Sequence, residues 1–374
     1  MGRSVTAVRA GTAAVLLAVA AAVGAVLVGS TTGAGPARAA TTTDIPALPR
    51  LGTIETVDQN DVGDPFVLPV PAGVRPPTDI PFVGTGTGSD AYQSSPWSGA
   101  TAAAAHAGGW YVLFGTTDWQ GNVPTAVSVD LKHWTQAPDA LPALPSWAAP
   151  TISMTWAPAA LRTQTGWVLY FSTQEAHSQL ECIGRAESSS PAGPYTDRSS
   201  APMLCQRGLG GSIDPSVVRD RHGTEYLVWK NDGNAQATPD AIWAQQLSPD
   251  GLAVQRQPHR LLGAGEAWAH GIVEAPAMFP AGAGGYWLSY AAGNWDSNRY
   301  GTGLAYCRAI IGPCAETSAT PFLSTTPALI SPGGLDTVTA HDARRWVVFT
   351  ALVPVPSTRH PGRTYYNRVL DIAP

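Results

Sequence analysis

Trp110-Tyr111-Val112-Leu113-Phe114 is a run of five apolar residues set between Gly109 and Gly115. A run this short, rich in aromatic and β-branched residues and closed by turn-formers, is strand chemistry. The pattern returns as Trp167-Val168-Leu169-Tyr170-Phe171 and Glu225-Tyr226-Leu227-Val228-Trp229. It returns again as Tyr286-Trp287-Leu288-Ser289-Tyr290 and Trp346-Val347-Val348-Phe349. The last four copies are spaced by roughly 60 residues, enough for several short strands per unit. Beyond the N-terminus, no stretch of helical length carries a 3.6-residue apolar period. The repeat predicts an all-β fold, a five-bladed β-propeller of four-stranded antiparallel blades. A β-sandwich is the alternative, and a second motif in the same phase argues against it.

That motif lies about 12 residues before each aromatic run, within one blade-length repeat. It reads Thr155-Trp156-Ala157-Pro158, then Ile213-Asp214-Pro215-Ser216, then Val273-Glu274-Ala275-Pro276. The first unit offers Gly63-Asp64-Pro65-Phe66, displaced upstream by an insertion between about Pro69 and Gly108 that is rich in Gly, Pro, Ser and Ala. Matching positions on repeated inner strands point at a shared axis. Asp64, Trp156, Asp214 and Glu274 are therefore expected at one end of a central channel. The displacement leaves Asp79 and Asp90 as competitors for the place given to Asp64.

Three carboxyl groups and a tryptophan round one cavity suit glycoside hydrolysis. One carboxyl must be protonated to donate to the leaving oxygen, and one must be ionised to activate water or attack carbon. A third negative group nearby keeps the acid protonated by like-charge repulsion. A lone Asp-Pro is ordinary turn chemistry; three acids in phase are not.

Taken together, Asp64-Pro65-Phe66-Val67, Trp156-Ala157-Pro158, Gly211-Ser212-Ile213-Asp214-Pro215 and Val273-Glu274-Ala275-Pro276 resemble the blade motifs of glycoside hydrolase family 43. The resemblance runs from about Asp61 to the C-terminus. It implies an inverting hydrolase of the arabinanase, α-L-arabinofuranosidase and β-xylosidase kind. It implies that Asp64 is the general base, Asp214 tunes and orients the acid, and Glu274 is the general acid. Inversion would put base and acid roughly 6.5–9.5 Å apart. Arg299 sits where the family often has an arginine that contacts substrate and acid. Many members carry a histidine in the fifth blade that helps hold a metal ion or water cluster. Here Ser331-Pro332-Gly333-Gly334-Leu335-Asp336 has none at that phase, His341 is off register, and His270 precedes the acid motif. No cofactor is expected, and a central calcium stays an open question.

Trp156 and Trp119 are candidates for stacking on a sugar ring, with core packing as the alternative for each. Asn231, in Asn231-Asp232-Gly233-Asn234, is turn chemistry that could also border a subsite. A non-catalytic sugar-binding propeller, or a retaining enzyme acting on fructose polymers, are the rival readings.

The N-terminus places Arg3 and Arg9 before an uncharged run from Gly11 to Gly29, followed by Ala37-Arg38-Ala39. This is the pattern of a cleaved export signal over residues 1–39, with an uncleaved anchor as the alternative. A lead-in over residues 40–61 and a catalytic propeller over 62–374 would follow. Removing residues 1–39 deletes three arginines and no acid, which takes the net charge from −5 to −8. No basic run exists to hold nucleic acid. The four cysteines are expected to pair as Cys182–Cys205 and Cys307–Cys314, two local staples suited to an oxidising compartment. The expected protein is a secreted monomer, free of stable membrane association, acting on a polysaccharide or oligosaccharide.

Overall fold

The computed structural model describes residues 45–51, 54–56, 62–77, 99–117, 121–150, 155–282, 284–352 and 366–373. Within them the chain is an all-β propeller of antiparallel sheets. The first sheet runs outward through Phe66–Val70, Trp110–Phe114, Thr125–Ser128 and Thr135–Ala137. The third (Ile213–Arg219, Glu225–Lys230, Ala241–Leu247, Val254–Gly263) and the fourth (Val273–Pro280, Tyr286–Ala292, Gly301–Cys307, Cys314–Glu316) follow the same plan. The fifth runs Ile330–Thr339, Arg345–Leu352, Tyr366–Ala373 and ends on Ile54–Thr56 from the far N-terminal side. Part of the expected lead-in is thus a blade strand. Each inner strand touches the next, and the fifth touches the first, so these strands surround a common axis.

The second sheet departs from the expected four strands. It holds three, Trp156–Arg162, Trp167–Gln174 and Glu181–Ser188. Its outer edge is met only by the isolated bridges Ile183 to Leu204 and Glu187 to Thr196, beside the Cys182–Cys205 disulfide. A covalent staple and two bridges cover an edge that would otherwise expose a row of unpaired backbone groups. The second pair, Cys307–Cys314, ties the two outer strands of the fourth sheet.

Every aromatic run is the second strand of its sheet, walled on both faces by neighbouring sheets. Trp110, Trp229 and Phe349 are fully buried, and Trp167, Trp287 and Trp346 nearly so. A buried aromatic removes about 150–250 Å² from water, worth several kcal/mol at ~25 cal/mol per Å². Five of the 13 tryptophans are thereby accounted for by packing between blades. One element was not expected, the helix Gly99–Gly108 inside the insertion. Its run of alanines has high helix propensity but no apolar stripe, so periodicity could not reveal it. Its C-terminus closes on Gly109, whose φ of +88° suits glycine and whose N–H donates to the Ala105 carbonyl.

Candidate active site

Near its start, each inner strand of the second to fifth sheets carries an extra residue relative to its neighbour, and the fifth carries a second one between Ile330 and Gly333. Trp156 pairs with Ser172 but Ala159 pairs with Tyr170. Ile213 and Ser216 pair with Lys230 and Val228, Glu274 and Ala277 with Ala291 and Ser289, and Gly333 and Asp336 with Thr350 and Val348. In the first sheet the Thr116 N–H reaches the Gly63 carbonyl while Phe66 pairs with Phe114. This is a β-bulge repeated round the ring, and bulges re-aim side chains. The residue before Pro65, Pro158, Pro215 and Pro276 lies in the left-handed region every time: Asp64 (φ 46°), Ala157 (44°), Asp214 (55°) and Ala275 (46°). Gly334 (62°) fills the same place in the fifth sheet. For a non-glycine residue this conformation costs on the order of 1–3 kcal/mol, and it clusters at functional sites.

The bulge corrects the repeat phase. Asp64 and Asp214 occupy equivalent bulge positions. Glu274 and Trp156 stand one residue earlier, at the paired position shared with Gly63, Ile213 and Gly333. The four were expected at one phase; they fall into two. A small channel cavity of about 40 Å³ is lined by the bulge segments of all five sheets, including Asp64, Asp214 and Gly334. A Cβ added to Gly334 would meet Asp64 Oδ1 at 3.4 Å, so the missing side chain leaves room beside that carboxyl.

Asp64 is held by its own sheet and Asp214 by the sheets on either side. The Thr116 hydroxyl donates to Asp64 Oδ2 at 2.6 Å and accepts the Ala157 N–H at 3.0 Å. Ser172 accepts the Asp214 N–H at 3.1 Å, and Asp214 Oδ2 accepts the Ala275 N–H at 2.8 Å. The bulge N–H groups of Ala157, Asp214 and Ala275 are thus each taken by a side chain of the preceding sheet. Asp214 in particular grips the backbone next to Glu274.

The electrostatics join the three acids. Burial raises the proton affinity of Asp64; the Thr116 hydrogen bond opposes this and the charge of Glu274 adds to it. Asp214 is pushed up to about 8 by burial and then by the charges of Glu274 and Asp64, against the pull of Lys230 and the Ala275 N–H. Glu274 keeps 15% of its side chain exposed and has both oxygens engaged. The Tyr300 hydroxyl donates to Oε1 at 2.7 Å and Lys230 Nζ to Oε2 at 3.1 Å. Burial and then the charges of Glu274 and Asp64 hold the Tyr300 hydroxyl well above the usual phenol range, so it stays a donor.

The other candidates fare differently. Trp156 is half-buried at the phase of Glu274 and does not line the cavity. Arg299 is exposed, and it is its neighbour Tyr300 that reaches the acid. Asn231 is buried and braces its own loop: its amide donates to the Leu209 and Pro239 carbonyls and accepts from Ala241 N–H and Trp243 Nε1. It is not offered to a ligand. Trp119, Asp79 and Asp90 lie outside the described residues, as does the proposed signal segment. His341 packs against Tyr111, and His270 is exposed, so neither enters the channel.

Thr116, Ser172, Lys230, Tyr300 and Asp336 escaped the sequence reading. Thr116, Ser172 and Lys230 shared a signal, since each follows its aromatic run within two residues. Asp336 lines the channel on the fifth inner strand, raised to about 7 by burial, with Oδ2 lacking a protein partner. Ser216 Oγ, also in the channel wall, lacks one too. Among the described residues no three His, Cys, Asp or Glu side chains converge as metal ligands. The protein donors of the channel do not fit a fully protein-ligated metal.

No curated protein matches the chain. A solved thermostable family-43 glycoside hydrolase superposes with TM-score 0.61 at 20% identity, covering 83% of this chain and 88% of that one. An endo-arabinase from Bacteroides thetaiotaomicron superposes with TM-score 0.61 at 16% identity, covering 85% and 96%. The native arabinanase Arb43A of Bacillus subtilis gives TM-score 0.58 at 16% identity, covering 86% and 97%. At such identities these likenesses speak to the fold. The profile of the glycosyl hydrolases family 43 matches residues 98–374, which leaves Asp64 upstream of the match and placed by the structure itself. With well over half of its length matched, the chain belongs to glycosyl hydrolases family 43 and is a glycoside hydrolase.

Proposed function

We propose that the protein is a secreted, inverting, five-bladed propeller hydrolase that cleaves arabinose- or xylose-containing plant polysaccharide, with arabinan-type linkages favoured. The observation that carries this is the meeting of Asp64 and Asp214 on one channel wall, coupled electrostatically to Glu274. Asp64 takes a proton from water as the water oxygen attacks the anomeric carbon. Glu274 gives a proton to the glycosidic oxygen as the carbon–oxygen bond breaks. Asp214, holding the Ala275 N–H, fixes the strand that carries the acid. The substrate class leans on the named activities of structural neighbours, which include arabinanases and an endo-1,4-β-xylanase. Export is supported by the N-terminal pattern and by two disulfides. The protein would act as a monomer.

The test is incubation with arabinan, arabinoxylan and aryl pentosides, reading product size and the anomer released first. Glu274→Gln should abolish turnover of the polymer and leave sugar binding nearly intact. Full polymer turnover by that variant would remove the acid assignment. A first product that retains the substrate's anomeric configuration would remove inversion.

A further inference from the structure

The register places Thr116, Ser172, Lys230, Ala291 and Thr350 at one equivalent position, opposite the residue just before each bulge. In the first two sheets the hydroxyl there accepts the bulge N–H of the next sheet. In the third sheet that N–H, from Ala275, is taken by Asp214 instead. The position is thereby released from scaffold duty, and a lysine fills it.

Lys230 is only 1% exposed. Its Nζ donates to Asn234 Oδ1 at 2.6 Å and to Glu274 Oε2 at 3.1 Å. Asp240 Oδ2 lies 3.7 Å away and Asp232 Oδ1 3.9 Å away. A full cation taken out of water is expensive unless paired. Here burial is outweighed by the charges of Glu274, Asp214, Asp240 and Asp232, so the amine holds its proton more tightly than in water. Facing Lys230 are thus Glu274 of the fourth sheet, Asp214 of the third inner strand, and Asp232, Asn234 and Asp240 of its own following loop. Facing Glu274 from elsewhere are Tyr300 and Asp64, and Glu181 stands beyond Asp232.

We propose that Lys230 is a positioning residue for the general acid, fixed where negative charge appears on Glu274 as its proton passes to the leaving oxygen. This rests on Glu274 being that acid. A donor already in place when charge develops needs no reorganisation, and in a partly dehydrated site its effect is large. Asn234, Asp232 and Asp240 hold the ammonium in position. The neutral Tyr300 hydroxyl fixes the other oxygen, so the carboxyl cannot swing away.

The experiment uses the full chain with Glu274→Gln, Lys230→Gln and Asp240→Asn. Each is assayed on a polymer or alkyl glycoside, whose leaving group needs a proton, and on a 4-nitrophenyl glycoside, whose leaving group needs little help. Glu274→Gln should lose the first activity far more than the second; equal retention of both would sink the acid assignment itself. Lys230→Gln should lower kcat on the poor leaving group by about 10–100-fold with a much smaller loss on the aryl glycoside. Its alkaline limb should move up by roughly half a pH unit or more, because removing a cation makes the acid keep its proton longer. Asp240→Asn, which keeps the lysine, should move that limb down, and it decides the matter if Lys230→Gln does not fold. Equal losses on both substrates, or limbs that stay still or shift together, would overturn the role while leaving Glu274 as the acid.

Discussion

Replacing Thr116 with valine should separate the base from its support. Valine matches threonine in shape, so packing survives while one oxygen is lost. That oxygen now serves two partners, donating to Asp64 Oδ2 at 2.6 Å and accepting the Ala157 N–H at 3.0 Å. A hydrogen bond to a charged group is worth about 1.5–3 kcal/mol, and a stranded backbone N–H costs about 1–3 kcal/mol. The variant should therefore be less stable by about 2–4 kcal/mol in urea unfolding. The kinetic effect has a definite sign. The Thr116 bond favours ionised Asp64, so its loss raises the pH at which the base deprotonates. The acid limb of kcat/KM should rise by about one pH unit, since ~1.4 kcal/mol corresponds to one unit. Thr116→Ser should restore most of both effects. An acid limb unmoved in Thr116→Val, with the protein folded, would mean that Asp64 is not the base or that Thr116 does not govern it.

Asp214→Asn should stabilise the fold at alkaline pH. A carboxyl raised to about 8 binds a proton in the folded state that the unfolded chain has already released. Its cost to stability grows as pH rises from near 4 to 8 and is absent below that window. The asparagine variant should gain several kcal/mol over wild type at pH 8 and nothing at pH 4, read from thermal unfolding across pH. An equal gain at both values would contradict the coupling. Replacing Cys182 and Cys205 by serine should cost about 3 kcal/mol, and the Cys307–Cys314 pair somewhat less, because the first closes a loop of 23 residues and the second one of 7. Denaturant midpoints of the two double variants test that order.

Much of the fold was legible because the aromatic runs obey a hard constraint. A strand walled by sheets on both faces has to be apolar at most of its positions, and five such strands spell out the repeat. The strand Ile54–Thr56 was not legible, since three residues carry no pattern and their pairing with Tyr366–Ala373 joins opposite ends of the chain. The second sheet's missing fourth strand was hidden because a disulfide and two bridges do the covering. In the site, the three acids could be found from their neighbours, but their phase was misread. Prolines 65, 158, 215 and 276 are the fixed landmarks. Counted back from them, Asp64 and Asp214 stand one residue away and Glu274 two. Lys230 was hidden in plain view at the end of Glu225-Tyr226-Leu227-Val228-Trp229, where a charge directly after a buried run needs an explanation.

That one-residue offset has a physical sense. Asp64 and Asp214 are short side chains on a bulge, and Ser172 of the sheet before pins the Asp214 backbone, so that carboxyl is placed by the main chain. Glu274 stands outside the bulge, in ladder register with Ala291, and is one methylene longer. Its carboxyl is placed by side chains instead, through Tyr300 from one element and Lys230 from another. In the proposed mechanism the base and the orienting aspartate need fixed positions on the channel wall. In that mechanism the acid needs a position that responds to its own charge, because it gives up a proton as the bond breaks. An amine and a phenol that grip the carboxylate form meet that need, and a backbone bulge could not. The repeat supplied five equivalent seats; the chemistry uses two of them and sets the third group beside the next.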